Sequence, residues 1–395
     1  MRLGPGAMVA AAFIGPGTVT TAAAAGMTTG VGLLWAVMFS VLATLVLQEL
    51  SLRSALVTQR DLASLMRSLG ERHWWQLPFM ILIVLAIGVG NAAYQSGNLS
   101  GAGLGLSAAF DLTMTSVVSL SALIAGTLIY LDRYKLVEQV LVAIVAVMAL
   151  LFCGLAIALL PNLLAQPASI WLPNLSQQHL TTTLALIGTT VVPYNLFLHA
   201  TAVRKRWSAT PLPQALREAR LESALSILIG GLITTAIVII AASASASIED
   251  KGVILGLMAT VENALPGWGS IAVGCGLFAA GITSSITAPL AAGWAVSGAL
   301  GKMSSERDVS KWVALGVLAI GCLFALVTTR PTALIISAQA TNALLLPIIA
   351  IALLFVARSQ TLLGNARNRP LTNAVTVLIV IMVSGLALRK LIALW

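Results

Sequence analysis

Long apolar stretches follow one another along this chain with only short polar joints between them. Eleven fall near 4–27, 31–52, 76–97, 113–131, 136–160, 180–203, 221–246, 269–299, 311–328, 331–356 and 372–394. Each is close to the ~20 residues a helix needs to cross hydrocarbon. None shows the two-residue alternation of a membrane β-barrel strand. The pattern predicts an all-α integral membrane protein of eleven spans. No joint is long enough to hold a soluble domain, so residues 1–395 read as one transmembrane domain.

Two stretches are interrupted at their middles. The first breaks at Gly15-Pro16-Gly17-Thr18 and the sixth at Val192-Pro193-Tyr194-Asn195. Proline inside a helix removes a backbone donor and clashes with the preceding turn. The two breaks lie five spans apart, so they hold the same place in two halves of opposite orientation. Matched interruptions of this kind mark the midplane site of a secondary transporter. Irregular backbone is tolerated at that depth only where it is buried in protein or lines a cavity. The bland alternative is two unrelated kinks in packed helices. The first stretch ends Ala-rich and mimics a signal peptide. Its Gly4-Pro5-Gly6 and Gly15-Pro16-Gly17 interruptions, and the second apolar run close behind, make it a broken first span instead.

Composition agrees: 58% of residues are hydrophobic and 9% charged, against roughly 25% charged in soluble domains. The formal charge of +9 orients the chain. With the N-terminus inside, all but Lys251, Arg330, Arg389 and Lys390 of the 22 basic residues fall on the inner side, as the positive-inside rule requires. The expected place is the cell inner (plasma) membrane with a cytoplasmic N-terminus. The expected partners are the lipid bilayer and a small ion or solute. Nucleic acid is excluded, and the oligomeric state stays open. Cys153, Cys275 and Cys322 each stand alone in an apolar run and read as small packing residues.

These motifs together resemble the Nramp divalent-metal transporters, over nearly the whole chain. Leu3-Gly4-Pro5-Gly6 with Gly15-Pro16-Gly17-Thr18 is similar to the family's opening, whose second motif normally reads Asp-Pro-Gly-Asn. Leu33-Leu34-Trp35, Leu47-Gln48 and Ser51-Leu52-Arg53 through Asp61-Leu62-Ala63 follow its second span. Val192-Pro193-Tyr194-Asn195-Leu196-Phe197-Leu198-His199 resembles its sixth, usually Met-Pro-His. Ala279-Ala280-Gly281 to Thr287 resembles its eighth, and Ile336-Ser337 to Gln339 with Leu346-Pro347 its tenth. The resemblance implies a LeuT-type fold: inverted repeats of five helices, about 1–160 and 179–356, and an extra helix at about 372–394. It implies alternating-access transport of a divalent metal ion such as manganese, iron or magnesium. It also implies metal ligands at three positions that here read Gly15, Thr18 and Val192, where the family carries aspartate, asparagine and methionine. The family's acidic residues in span three fall at Gly88 and Asn91, and its span-six histidine at Tyr194. Gln339 keeps a family glutamine.

The residues themselves describe a neutral site: Gly15, Gly17, Thr18, Val192, Tyr194, Asn195 and Gln339. Divalent cations prefer several oxygen ligands, usually with carboxylate among them, and no acid stands at either break. Thr18 and Asn195 read as N-caps of restarting half-helices, whose free donors suit an anion or a carboxylate-bearing solute. A small anion or polar solute is therefore the alternative cargo, with sodium as a possible coupling ion at Thr283, Ser284 and Ser285. Hydroxyls bonded back to their own helix are the plainer reading of those three. Asn91, Tyr94, Gln95 and Asn98 form a polar run in span three, and Asn91 and Tyr94 are candidate pathway residues. Glu49 is the third pathway candidate, with a salt bridge to Arg53 one turn on as its default role. Glu138 and Glu222 sit at inner helix starts, where acid is favoured.

No paired acids, zinc motif or nucleophile elbow stands in a span, so an enzyme is not expected, nor any cofactor. A channel would need a charged ring or filter loop. A receptor or scaffold that keeps the fold without transporting is the remaining alternative.

Overall fold

The computed structural model describes residues 14–69, 73–131, 134–164, 172–173, 176–244, 252–300 and 306–392. The Gly4-Pro5-Gly6 motif, Arg2 and the side chain of Glu138 lie outside the described residues. Helices α1 (Pro16–Thr29), α2 (Leu34–Thr58), α3 (Leu62–Leu69), α4 (Gln76–Phe110), α5 (Met114–Leu131) and α6 (Tyr134–Leu164) come first. The second half brings α7 (Leu180–Thr190), α8 (Pro193–Arg206), α9 (Leu212–Ala242), α10 (Val253–Ala264), α11 (Gly269–Leu300), α12 (Glu306–Val327) and α13 (Pro331–Arg358). Short α14 (Gln360–Leu363) and long α15 (Pro370–Ile392) close the chain. Among the described residues ten helical segments are long and apolar enough to span a bilayer, α7 and α8 counting together as one. With α1 as the second half of the first span, they occupy all eleven predicted stretches.

The packing pattern reveals the repeat. Helix α1 lies along α9, and α2 lies along α7 and α8; advancing each span number by five converts the first pair into the second. Helix α4 packs along α11, a pair that the same operation returns to itself. Packing of α4 on α12 is matched by α5 on α11, and of α6 on α9 by α2 on α13. A chain whose contacts repeat under this shift is two structurally equivalent five-span halves, the LeuT-type arrangement, with α15 added outside them.

Side chains sort by this packing. The segment from Gln177 to Arg206 is 94% buried over its apolar window, whereas Met114–Leu131 and Pro370–Lys390 are 28% and 22% buried. Peripheral helices therefore turn leucine, isoleucine and phenylalanine outward, among them Leu123, Leu150 and Phe324, where a bilayer receives them. The broken sixth span is the centre.

Two features were not predicted. Helix α10 is a short apolar helix between two spans, and its Glu262 carboxylate accepts the backbone N–H groups of Gly267 and Ser270 (2.7 Å for Ser270). Glu262 thus caps the start of α11, since the first N–H groups of a helix have no partner within it. The other feature is the extension of the expected Glu49–Arg53 pair to distant segments. Glu49 accepts from Arg53 Nε (3.0 Å) and from Arg220 Nη2 (2.6 Å). The buried guanidinium of Arg53 also donates to the Ala366 carbonyl and to Asn368 Oδ1. One carboxylate therefore ties α2, α9 and the segment after α14.

Candidate functional site

Both breaks follow from proline chemistry. Proline suits the first position of a helix, where its missing N–H would be unpaired in any case, and it pushes the preceding residue into extended backbone. Gly15 before Pro16 has φ −80° and ψ 168°, and Val192 before Pro193 has φ −88° and ψ 120°. These two residues are the N-caps, and neither half-helix carries a side-chain cap. The expectation of Thr18 and Asn195 as caps is corrected here. Both stand two residues inside proline, within the first turn, and their N–H groups already donate to Gly15 and Val192 carbonyls at 3.0 and 3.1 Å. The prolines start each half-helix earlier than the polar residues suggested.

The half-helices α1 and α7 meet directly. Thr18 Oγ1 lies 2.8 Å from Thr189 Oγ1, and the Thr44 hydroxyl of α2 donates to Ser40 O at 2.7 Å and reaches Thr190 O at 3.5 Å. Gln339 of α13 fits between them. Its side-chain amide presses on Gly17, and its backbone carbonyl presses on Gly188 of α7. A methyl group at either glycine would overlap Gln339. A methyl group at Gly97 of α4 would lie in ordinary contact with the same amide, 3.9 Å away. The Gln339 side chain therefore sits where α1, α4, α7 and α13 converge.

This centre is buried and holds polar groups with no hydrogen-bond partner among the described residues. Thr18, Asn195 and Gln339 are at most 1% exposed. Both amide atoms of Asn195 and both of Gln339 lack a hydrogen-bond partner, as do the hydroxyls of Thr20 and Thr21. Buried polar groups are normally paired, and an unpaired one in hydrocarbon costs several kcal/mol. Which amide atom is oxygen and which nitrogen does not alter the conclusion. Four amide atoms, those of Asn195 in the first turn of α8 and of Gln339 facing Gly17, thus lack a partner among the described residues.

The remaining candidates divide. Val192, Tyr94 and Tyr194 join Leu198, Ala288 and Ala291 in an apolar cluster beside the break, with the two tyrosine rings 5.1 Å apart edge to face. Asn91 donates to Ile87 O at 2.9 Å while its Oδ1 stays unpaired. Thr283 is bonded back to Ala279 O at 2.8 Å, whereas the buried hydroxyls of Ser284 and Ser285 are unpaired. Glu49 is not brought to the breaks; it belongs to the ion-pair network with Arg53 and Arg220. Glu222 lies 4.0 Å from Arg206. His199 pairs with Ser223 of α9 at 2.8 Å. Among the described residues no three His, Cys, Asp or Glu side chains converge as a metal cluster.

Thr189, Gly188 and Asn342 were missed by sequence reasoning. Thr189 and Gly188 immediately precede the sixth-span break, so their place on the chain was the available signal. Asn342 follows Gln339 by three residues on the same helical stripe, and its Nδ2 is also unpaired.

Comparison with known proteins gives one consistent answer. The family model described as natural resistance-associated macrophage protein-like (Nramp) matches residues 6–393. The divalent metal cation transporter MntH of Aeromonas hydrophila subsp. hydrophila is 26% identical over 99% of this chain and 95% of its own. The protein of that name from Brucella suis biovar 1 is 28% identical over 93% of this chain and 82% of its own. A point mutant of the Eremococcus coleocola manganese transporter superposes with a TM-score of 0.76 at 21% identity, over 98% of this chain and 85% of that one. A nucleobase-cation-symport-1 family transporter in a closed conformation shares the fold more distantly, with a TM-score of 0.57 at 13% identity, over 98% and 90%. Helix count, broken first and sixth spans and a family match over nearly the full length coincide: the chain belongs to the Nramp family.

Proposed function

We propose that this protein is a secondary carrier of a divalent metal ion, working by alternating access, with its cargo held between the two helix breaks. The observation that carries the reading is the set of unpaired, fully buried amide groups of Asn195 and Gln339 at those breaks, in a chain of the Nramp family. Relatives named as divalent metal cation transporters support the cargo class. Asn195 and Gln339 oxygens, the Thr18 hydroxyl and backbone carbonyls at the breaks would supply neutral ligands. A dication bound so would keep several of its waters, as magnesium does in protein sites. With the basic loops inside, the carrier faces the cytoplasm with its N-terminal end.

A second reading has its own observation. The amide nitrogens of Asn195 and Gln339 are as unpaired as the oxygens, and a cation has no use for a donor. A small anion or polar solute would satisfy both kinds of atom. Ser284 and Ser285, with free hydroxyls, are the coupling-ion candidates beside it. Their replacement by alanine should remove any sodium stimulation of uptake, and unchanged sodium dependence would reject that role.

Manganese entry into liposomes, read by quenching of a trapped dye, separates the readings. The protein should show saturable quenching, and a Gly15→Asp, Thr18→Asn, Val192→Met variant should show tighter half-saturation. The extended backbone of Gly15 accepts aspartate, which is itself a good N-cap. Saturable entry only in the variant would assign the present site to another solute.

A further inference from the structure

From the sixth-span break toward the charged end of α8, a different set of residues packs together. Helix α8 starts at the break and runs to Arg204, Lys205 and Arg206. Along it Tyr194 and Leu198 turn into a cluster with Tyr94 of α4 and Ala288 and Ala291 of α11, and Trp294 packs against that cluster. Lys205 places its ammonium 4.8 Å from the centre of the Trp294 ring. The stack therefore runs from Val192 at the break to the charged end of α8, and it fills the junction of three helices. Tyr94 and Tyr194 are its largest fully buried members, at most 1% exposed.

The pair is unusual for a packing core. Buried tyrosines normally find a partner for the hydroxyl; here the two phenols face each other as polar neighbours, and neither completes a hydrogen bond of good geometry among the described residues. A phenylalanine pair would fill the same space without that cost. The opposed helices also differ in attachment. Tyr94 stands on α4, whose main neighbours are α11, α13 and α12, whereas Tyr194 stands on α8, whose main neighbours are α2 and α11. Helices α4 and α8 touch each other little, so the edge-to-face contact of the two rings bridges them across α11, and Tyr194 immediately precedes Asn195.

We propose that Tyr94 and Tyr194 are the gate on the basic side of the site and the last groups to touch the cargo there: the rings close the route, and the hydroxyls accompany the cargo when the rings part. The gate rests on the carrier reading above, but its test needs no cargo. The two parts make separate demands on the side chain. The ring suffices for closure, and the hydroxyl is needed for passage.

The test uses full-length protein with Cys153, Cys275 and Cys322 replaced and Thr18→Cys as reporter. A membrane-impermeant thiol reagent is applied to inside-out and right-side-out vesicles separately. With both tyrosines present, the reagent reaches the reporter slowly from the basic side. Tyr94→Ala or Tyr194→Ala should accelerate labelling from that side about tenfold or more, as a minor open state becomes a major one, and leave the opposite side unchanged. Tyr94→Phe and Tyr194→Phe should keep the slow rate. Equal rates in the alanine variants, or equal acceleration from both sides, would overturn the gate. In manganese uptake into liposomes by protein that keeps Thr18, the phenylalanine variants should lower uptake severalfold while labelling of the reporter protein stays slow; unchanged uptake would remove the hydroxyls from the cargo path. A carrier reading that failed would show as absent uptake with the labelling pattern intact.

Discussion

At the scale of single residues, the site is defined by what glycine leaves room for. Gly188 faces the backbone carbonyl of Gln339, while Gly17 faces the end of the Gln339 side chain. A side-chain amide can swing aside and a helix backbone cannot. Gly188→Ala should therefore cost about 1–3 kcal/mol of stability, the usual range for overpacking, read as a lower detergent melting temperature. Gly17→Ala should leave melting nearly unchanged but displace the Gln339 amide and weaken cargo binding. Gly316→Ala, where nothing lies within 4 Å of the added methyl, is the control. The prolines were legible in the sequence because a proline within an apolar span has one strong physical meaning, whereas Gln339 was reached only through the family resemblance. Thr18 and Asn195 were located but misassigned, since proline outranks a polar cap in deciding where a helix starts. The Thr18–Thr189 contact was illegible, as 171 positions separate its partners and nothing local encodes the pairing.

At the scale of elements, capping and ion pairing hold the spans in register. Hydrogen bonds from Ser270 and then Gly267 hold the Glu262 carboxyl below the ordinary carboxylate range. Its folded-state value is depressed, so its stabilising contribution is complete above the unfolded value of about 4.5 and fades as pH falls through the folded one. Glu262→Gln should lower the melting temperature at neutral pH, and the difference from the parent should shrink on acidification. At the other end, Glu49→Gln would leave the Arg53 guanidinium, 6% exposed, with its two neutral partners alone. The cost should be about 2 kcal/mol, less than the 3–5 kcal/mol of a wholly buried pair, because the Glu49 side chain is 28% exposed. A double-mutant cycle with Arg220→Gln measures how much runs through α9. The Glu49–Arg53 pair was legible from four-residue spacing. Its extension to Arg220 and Asn368 was not, because it depends on how distant segments fold back. Helix α10 escaped notice because its apolar run is too short to span and too long for a tight turn.

For the molecule as a whole, apolar run length located the spans, while the matched breaks announced the repeat. The first signal comes directly from the bilayer, since hydrocarbon thickness sets span length. The pairing of spans was reached only through resemblance, since lipid-embedded helices carry little amphipathic signal to say which faces meet. The contact pattern, repeated under a shift of five spans, supplies that pairing. It brings the two breaks together at one centre, the Thr18–Thr189 contact, with Gln339 packed on Gly17 and Gly188 beside it.

Saturable uptake of radioactive manganese into proteoliposomes, compared between the parent, Asn195→Ala and Gln339→Ala, tests that centre most directly. The account predicts saturable uptake by the parent and a loss of about tenfold or more in each variant, corresponding to about 1.4 kcal/mol or more of binding, with melting temperatures preserved. Uptake unaffected by either replacement, or no uptake by a folded parent protein, would contradict it.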